Sequence, residues 1–76
     1  MEREPVKVYS KENCVQCDAT YRKLGKQGIK YEVIMLETVP DKLEEFKEMG
    51  FMGAPVVVTE NDIWSGFRPD KIASIE

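Results

Sequence analysis

Histidine is absent from the 76-residue chain. That excludes Ser-His and Cys-His catalytic pairs, haem held by His, and every zinc site with a His ligand. Positive charge is not in excess either. Lys and Arg number 11 against 14 Asp and Glu, a formal net charge of −3. A nucleic-acid backbone, which selects clustered cations, is therefore not an expected partner. No apolar run approaches the roughly 18 residues that span a membrane, so no membrane partner is expected. Met1-Glu2-Arg3-Glu4-Pro5 lacks the apolar core of a signal peptide, and the expected compartment is the cytoplasm. Cysteine is scarce, with only Cys14 and Cys17. Closing so short a loop contributes at most about 2 kcal/mol. The pair is poorly placed as a structural staple, and its value is expected to be chemical.

What is present suits one small globular domain spanning residues 1–76. Hydrophobic residues make up 42% and charged ones 33%, a foldable balance and not a disordered one. Val6-Lys7-Val8-Tyr9 alternates with period two and reads as a strand. Asn13 is placed to cap a helix over Cys14 to Gln27, with Cys17, Tyr21 and Leu24 on one face. Gly28 then takes the left-handed position after the helix, followed by apolar Ile29. Tyr31 to Leu36 reads as a second strand. Thr38 to Asp41 has the spacing of a capping box, opening a helix that turns Leu43 and Phe46 inward and stops at Gly50. Val56-Val57-Val58 is the run expected of a central strand buried on both faces. Glu60-Asn61-Asp62 forms a turn into a short strand at Ile63-Trp64. Pro69 opens a last helix carrying Ile72 and Ile75. The order is β-α-β-α-β-β-α. The first two strands should be parallel through a right-handed crossover and the last two antiparallel. These segments predict an α/β, thioredoxin-like fold: a four-stranded mixed sheet with helices on both faces.

Cys14-Val15-Gln16-Cys17 falls at a strand-to-helix junction. Cys14 lies in the first helical turn, where four backbone N–H groups lack intrahelical partners. Those groups and the helix dipole favour a negative sulfur. A thiol of pKa about 8.5 is roughly 3% thiolate at pH 7, and one of pKa about 7 is half thiolate. Lys11, just upstream, adds attraction where its amine turns toward the sulfur. Cys17 lies one turn further in, within disulfide range of Cys14. The spacing supports a division of labour in which Cys14 attacks a substrate disulfide and Cys17 resolves the mixed disulfide. Two other uses of the pair stay open. The thiols can pack as small apolar side chains, or two chains can share a zinc ion or cluster through them.

Ala54-Pro55 precedes the valine run, where Pro reads as a strand start. Trp64-Ser65-Gly66-Phe67-Arg68-Pro69-Asp70 reads as core filling or as a recognition loop. Packing is the expectation for Trp64, while packing and partner contact are balanced for Phe67. Arg68 and Asp70 pair at the surface or cap a helix. Phe46 belongs to the core. Met49, Phe51 and Met52 are candidates for a soft apolar rim around the site.

Three motifs together resemble the NrdH-redoxins over about Val6 to Ile75: Cys14-Val15-Gln16-Cys17, Gly53-Ala54-Pro55-Val56-Val57-Val58, and Trp64-Ser65-Gly66-Phe67-Arg68-Pro69-Asp70. The resemblance implies a thioredoxin-fold electron carrier with no bound cofactor and a redox-active Cys14–Cys17 disulfide. It implies thioredoxin reductase as electron source and a class Ib ribonucleotide reductase as acceptor. Cys14 is then the nucleophile and Cys17 the resolving thiol, flanked by Val15 and Gln16. Ala54 and a cis Pro55 form the facing side, where Ala54 pairs with an incoming peptide strand. A network through Trp64, Ser65 and Arg68 fixes the loop at Gly66 and Phe67. Glutaredoxins, which share that fold, usually carry Pro-Tyr between the cysteines and a Gly-Gly-containing turn with acidic residues that holds the glutathione backbone. Val15-Gln16 and Ser65-Gly66-Phe67 replace these, with Phe67 positioned to obstruct a glutathione groove. Met52-Gly53 departs mildly from the longer polar residues of many relatives. A monomer is expected. The alternatives to a carrier are a glutathione-dependent glutaredoxin, the shared metal module, and a redox-regulated interaction domain without turnover.

Overall fold

A computed structural model describes residues 5–51 and 53–75; residues 1–4, Met52 and Glu76 lie outside the described residues. The elements run β1 (Val6–Ser10), α1 (Val15–Lys26), β2 (Tyr31–Met35), a 3₁₀ turn (Leu36–Thr38), α2 (Pro40–Glu48), β3 (Val56–Val58), β4 (Ile63–Ser65) and α3 (Pro69–Ala73). The sheet order is β2-β1-β3-β4. β1 pairs in parallel with β2, Val8 opposite Val33. β1 and β3 are antiparallel, Val8 opposite Val57, as are β3 and β4, Val57 opposite Trp64.

Strand alternation divides the core into two layers. Val6 and Val8 of β1, Val57 and Trp64 pack with Leu24 of α1 and Ile72 of α3. Tyr9 and Val56 face the other way and pack with Leu36 and Phe46 of α2. Helices therefore cover both faces, and β1 and β3 are the buried central strands. The Tyr9 and Phe46 rings meet edge to face at 5.0 Å, a favourable aromatic geometry.

Both long helices end as their glycines dictate. Gly28 (φ 70°) and Gly50 (φ 89°) sit in the left-handed region. After α1, the Gly28 N–H donates to Gly25 O and the Ile29 N–H to Leu24 O. After α2, the Gly50 N–H donates to Lys47 O and the Phe51 N–H to Phe46 O. This is the paired closure of a Schellman ending.

The helix starts differ from expectation. Asn13 does not cap α1. It adopts φ 55°, a left-handed turn that Asn tolerates, and Cys14 itself is the cap, with φ −110° and ψ 103°. The capping box at Thr38 to Asp41 does not form either. Val39 is the α2 cap and makes no side-chain bond. The Thr38 hydroxyl instead donates to Met35 O at 2.7 Å, within the 3₁₀ turn. Pro40 at the first helical position supplies the preset φ and needs no N–H partner.

Candidate active site

The chain reverses between β1 and α1 so that Cys14 stands at the helix N-terminus. Cys14 Sγ accepts the Cys17 N–H at 3.1 Å, and Cys14 O accepts the Asp18 N–H at 3.2 Å. A side chain that satisfies an orphan N–H is what any N-cap does. Here the acceptor is sulfur, and a hydrogen bond from an amide favours its charged form. The cysteines are joined as a disulfide with Cα atoms 5.2 Å apart. Their exposures differ: Cys14 retains 9% of its surface and Cys17 1%. A reagent from solvent therefore meets Cys14 first. Val15 projects into solvent at 82% exposure, and Gln16 is also exposed.

The facing side comes from the loop before β3. The Ala54–Pro55 peptide is cis. Pro55 is fully buried, and Ala54 is half-buried just outside the strand ladder, which begins at Val56. The Gly66 N–H donates to Pro55 O at 2.8 Å, joining this loop to the end of β4. An open groove of about 300 Å³ runs beside the dithiol turn, lined by Gln16, Gly50, Gly53, Ala54, Ser65 and Gly66.

One contact was not visible in the sequence. Gln16 Oε1 accepts the Phe67 N–H at 3.0 Å, across 51 residues of chain. Gly66 (φ 82°) lies beneath it, and a Cβ there would stand 3.2 Å from the same oxygen. The spacing of Gln16 from Phe67 carries no periodic signal, and only its place between two cysteines marked it. A second unforeseen pair, Ser10 Oγ with the Tyr21 hydroxyl, satisfies a fully buried Ser10 at the end of β1.

Other expected site residues are placed as follows. Trp64 is 4% exposed and belongs to the core layer with Leu24 and Ile72. Its Nε1 is buried without a hydrogen-bond partner among the described residues. Among the described residues no hydrogen-bond network joins Trp64, Ser65 and Arg68; the loop is tied instead by Gln16 and Pro55 O. Arg68 makes a two-pronged contact with Asp70, at 3.2 Å from Nε and 3.1 Å from Nη2. The Phe67 ring packs against the α1–α3 core layer and does not line the groove, so it is the N–H and not the ring of Phe67 that meets the site. Lys11 is exposed, and among the described residues its amine makes no hydrogen bond to Cys14. Of the proposed apolar rim, Met49 is 47% exposed and Phe51 is half-buried against the α2 layer; Met52 lies outside the described residues.

Two ion pairs brace the β4–α3 end. The Lys71 ammonium donates to Asp62 Oδ2 at 3.0 Å and, with the Ile63 N–H, holds the Asp62 carboxyl below its ordinary value. The hydrogen bond from Arg68 lowers Asp70, and Asp70 raises Arg68 in turn. Among the described residues no cluster of three or more His, Cys, Asp or Glu is placed to hold a metal ion, and no helix is long and apolar enough to cross a membrane.

A disulfide-forming Cys-X-X-Cys at a helix start, sharing a groove with a cis-proline loop on a four-stranded mixed sheet, defines a thioredoxin-fold dithiol redoxin. Relatives narrow the class. The Glutaredoxin family model matches residues 6–64. The glutaredoxin-like protein NrdH of Salmonella typhimurium is 40% identical over 88% of this chain and 83% of its own. That of Lactococcus lactis subsp. lactis is 39% identical over 92% and 97%. The solved NrdH-redoxin of Escherichia coli, described as a glutaredoxin-like protein with a thioredoxin-like activity profile, superposes with a TM-score of 0.88. It is 37% identical over 96% of each chain. A glutaredoxin from Archaeoglobus fulgidus, 23% identical over 88% of this chain and 79% of its own, shares the fold at a TM-score of 0.67. The chain belongs to the NrdH glutaredoxin-like redoxins.

Proposed function

We propose that the protein is a monomeric, cytoplasmic dithiol carrier that takes electrons from thioredoxin reductase and delivers them to a class Ib ribonucleotide reductase. The observation that carries the chemistry is the Cys17 N–H donated to Cys14 Sγ at the mouth of the helix. In the reduced protein that donor stabilises the Cys14 thiolate. The thiolate attacks one sulfur of the acceptor's disulfide, and the other sulfur leaves as a thiolate that takes up a proton. Cys17, beside it and shielded from water, loses its proton and attacks Cys14 Sγ. The second acceptor sulfur leaves and is protonated. Two electrons and two protons have then passed to the acceptor, and the Cys14–Cys17 disulfide remains. Ala54, outside the ladder beside the groove, is the backbone on which an extended acceptor segment adds as a strand. Exposed Val15 and Met49 supply apolar contact around it.

The test is NADPH oxidation in two coupled systems. One contains thioredoxin reductase, this protein and oxidised ribonucleotide reductase. The other replaces the first enzyme by glutathione and glutathione reductase. Turnover in the first alone, abolished by Cys14→Ser, is the expected result. Turnover in the second alone makes the protein a glutathione-dependent glutaredoxin. Inertness in both refutes the carrier reading.

A further inference from the structure

The groove beside the dithiol has a wall of bare backbone, and one side chain governs what that wall offers a ligand. The turn at Gly66 and Phe67 has two main-chain donors. The Gly66 N–H is held by Pro55 O at 2.8 Å. The Phe67 N–H is held by Gln16 Oε1 at 3.0 Å. Both donors are therefore consumed internally. The two cations that follow this turn in the chain are paired as well, Arg68 with Asp70 and Lys71 with Asp62. A carboxylate entering the groove would meet neutral groups with their N–H bonds already made, and would lose its hydration with little return. An extended polypeptide brings neutral carbonyls and amides instead. Ala54 outside the ladder can pair with these, and the amide nitrogen of Gln16 is a neutral donor on the rim.

We infer that Gln16 is the specificity-determining residue of this site: by holding the Phe67 N–H it sets the groove against carboxylate-bearing small thiols and in favour of extended polypeptide disulfides. The inference rests on the carrier reading above. It acts through hydrogen bonding and not through the bulk of Phe67, whose ring lies elsewhere. Gly66 is part of the same device, because a side chain there would crowd the Gln16 oxygen.

The test compares wild type with Gln16→Met and Gln16→Ala, which remove the acceptor, and with Gln16→Glu, which retains one. Glutathione is the small-thiol probe and insulin the polypeptide disulfide, the latter driven by thioredoxin reductase. In the glutathione assay two glutathione thiols become one glutathione disulfide as Cys14–Cys17 is reduced to the dithiol, and glutathione reductase reports the product through NADPH. Freeing one donor for a carboxylate is expected to raise the glutathione rate about tenfold in both truncations. The KM for insulin should rise severalfold with kcat within about twofold. Hydrogen exchange at the Phe67 amide should quicken in the truncations and be slow again in Gln16→Glu, together with the low glutathione rate. An unchanged ratio of glutathione to insulin turnover in both truncations overturns the inference, as does a Phe67 amide that exchanges no faster without Gln16. A wild-type protein inert in both assays refutes the carrier reading and this inference with it. A wild-type protein active on insulin, with truncations of unaltered preference, refutes this inference alone.

Discussion

Replacing Gly66 by Ala tests how tightly the two halves of the site are joined. The backbone there has φ 82°, where an L-residue costs about 1–2 kcal/mol. The added Cβ would lie 3.2 Å from Gln16 Oε1. Gln16 is exposed and can swing away, so the crowding is relieved by losing its bond to the Phe67 N–H. That bond is worth about 0.5–1.5 kcal/mol. The expected total is about 1.5–3.5 kcal/mol. Gly50 provides the control, because it has φ 89° and, among the described residues, nothing within 4 Å of an added Cβ. Gly50→Ala should cost only the backbone strain, about 1–2 kcal/mol. The difference between the two variants isolates the Gln16 contact, and it should vanish when both are made in a Gln16→Ala background. Urea unfolding of the oxidised protein measures all of these, provided the slopes agree. If Gly66→Ala costs no more than Gly50→Ala, the Gln16–Phe67 bond adds nothing in solution and the coupling is refuted.

Further outcomes follow from the same geometry. Cys17→Ser should leave Cys14 competent to attack but unable to release its acceptor, so a mixed disulfide accumulates and mass spectrometry detects the adduct; free turnover in this variant refutes the division of roles. Trp64→Phe should cost no more than about 1 kcal/mol in denaturant unfolding. The small cavity it leaves, at about 24 cal/mol per Å³, is offset by removing a buried N–H without a partner, whereas Trp64→Ala should cost about 3–5 kcal/mol. The Asp62 and Asp70 carboxyls are held low by Lys71 and Arg68. Their folded values lie below the unfolded ones, so their contribution to stability is present above the unfolded carboxylate pKa and is lost as pH falls through the folded values. Carbon-detected NMR titration should place both midpoints below those of unpaired aspartates. Both pairs are exposed, so Asp62→Asn should alter stability only slightly.

The elements were legible wherever one local signal sufficed. Alternation in Val6-Lys7-Val8-Tyr9, the apolar Val56-Val57-Val58 run and the Gly28 and Gly50 stops each depend on a few adjacent residues, and each is found as expected. The starts of α1 and α2 differ from expectation because a neighbouring requirement outweighs a good side-chain cap in each. Asn13 and Thr38 are good caps in isolation, but Asn13 is needed for the left-handed turn that brings Cys14 to the helix end. Pro40 makes a side-chain cap at Thr38 dispensable. The cysteine pair was legible because its chemistry and its spacing coincide. The fastening of the 65–67 loop was not, since it depends on side chains and carbonyls that meet only after the sheet has formed.

That last distinction bears on how the site works. The dithiol is local: Cys14, Cys17 and the N–H that joins them lie within a single turn of α1, so any chain with a helix start of this kind can activate a thiol. The groove proposed to choose a partner is assembled from three separated pieces, the α1 start, the cis-proline loop and the end of β4. Its alignment rests on the bonds Gln16–Phe67 and Pro55–Gly66. On the reading proposed above, reactivity is carried by short-range structure and selectivity by tertiary structure. Perturbations should separate along that line. Changes within the cysteine turn should act on the thiol–disulfide step with every acceptor, whereas changes at Gln16 or Gly66 should act on which acceptor is used.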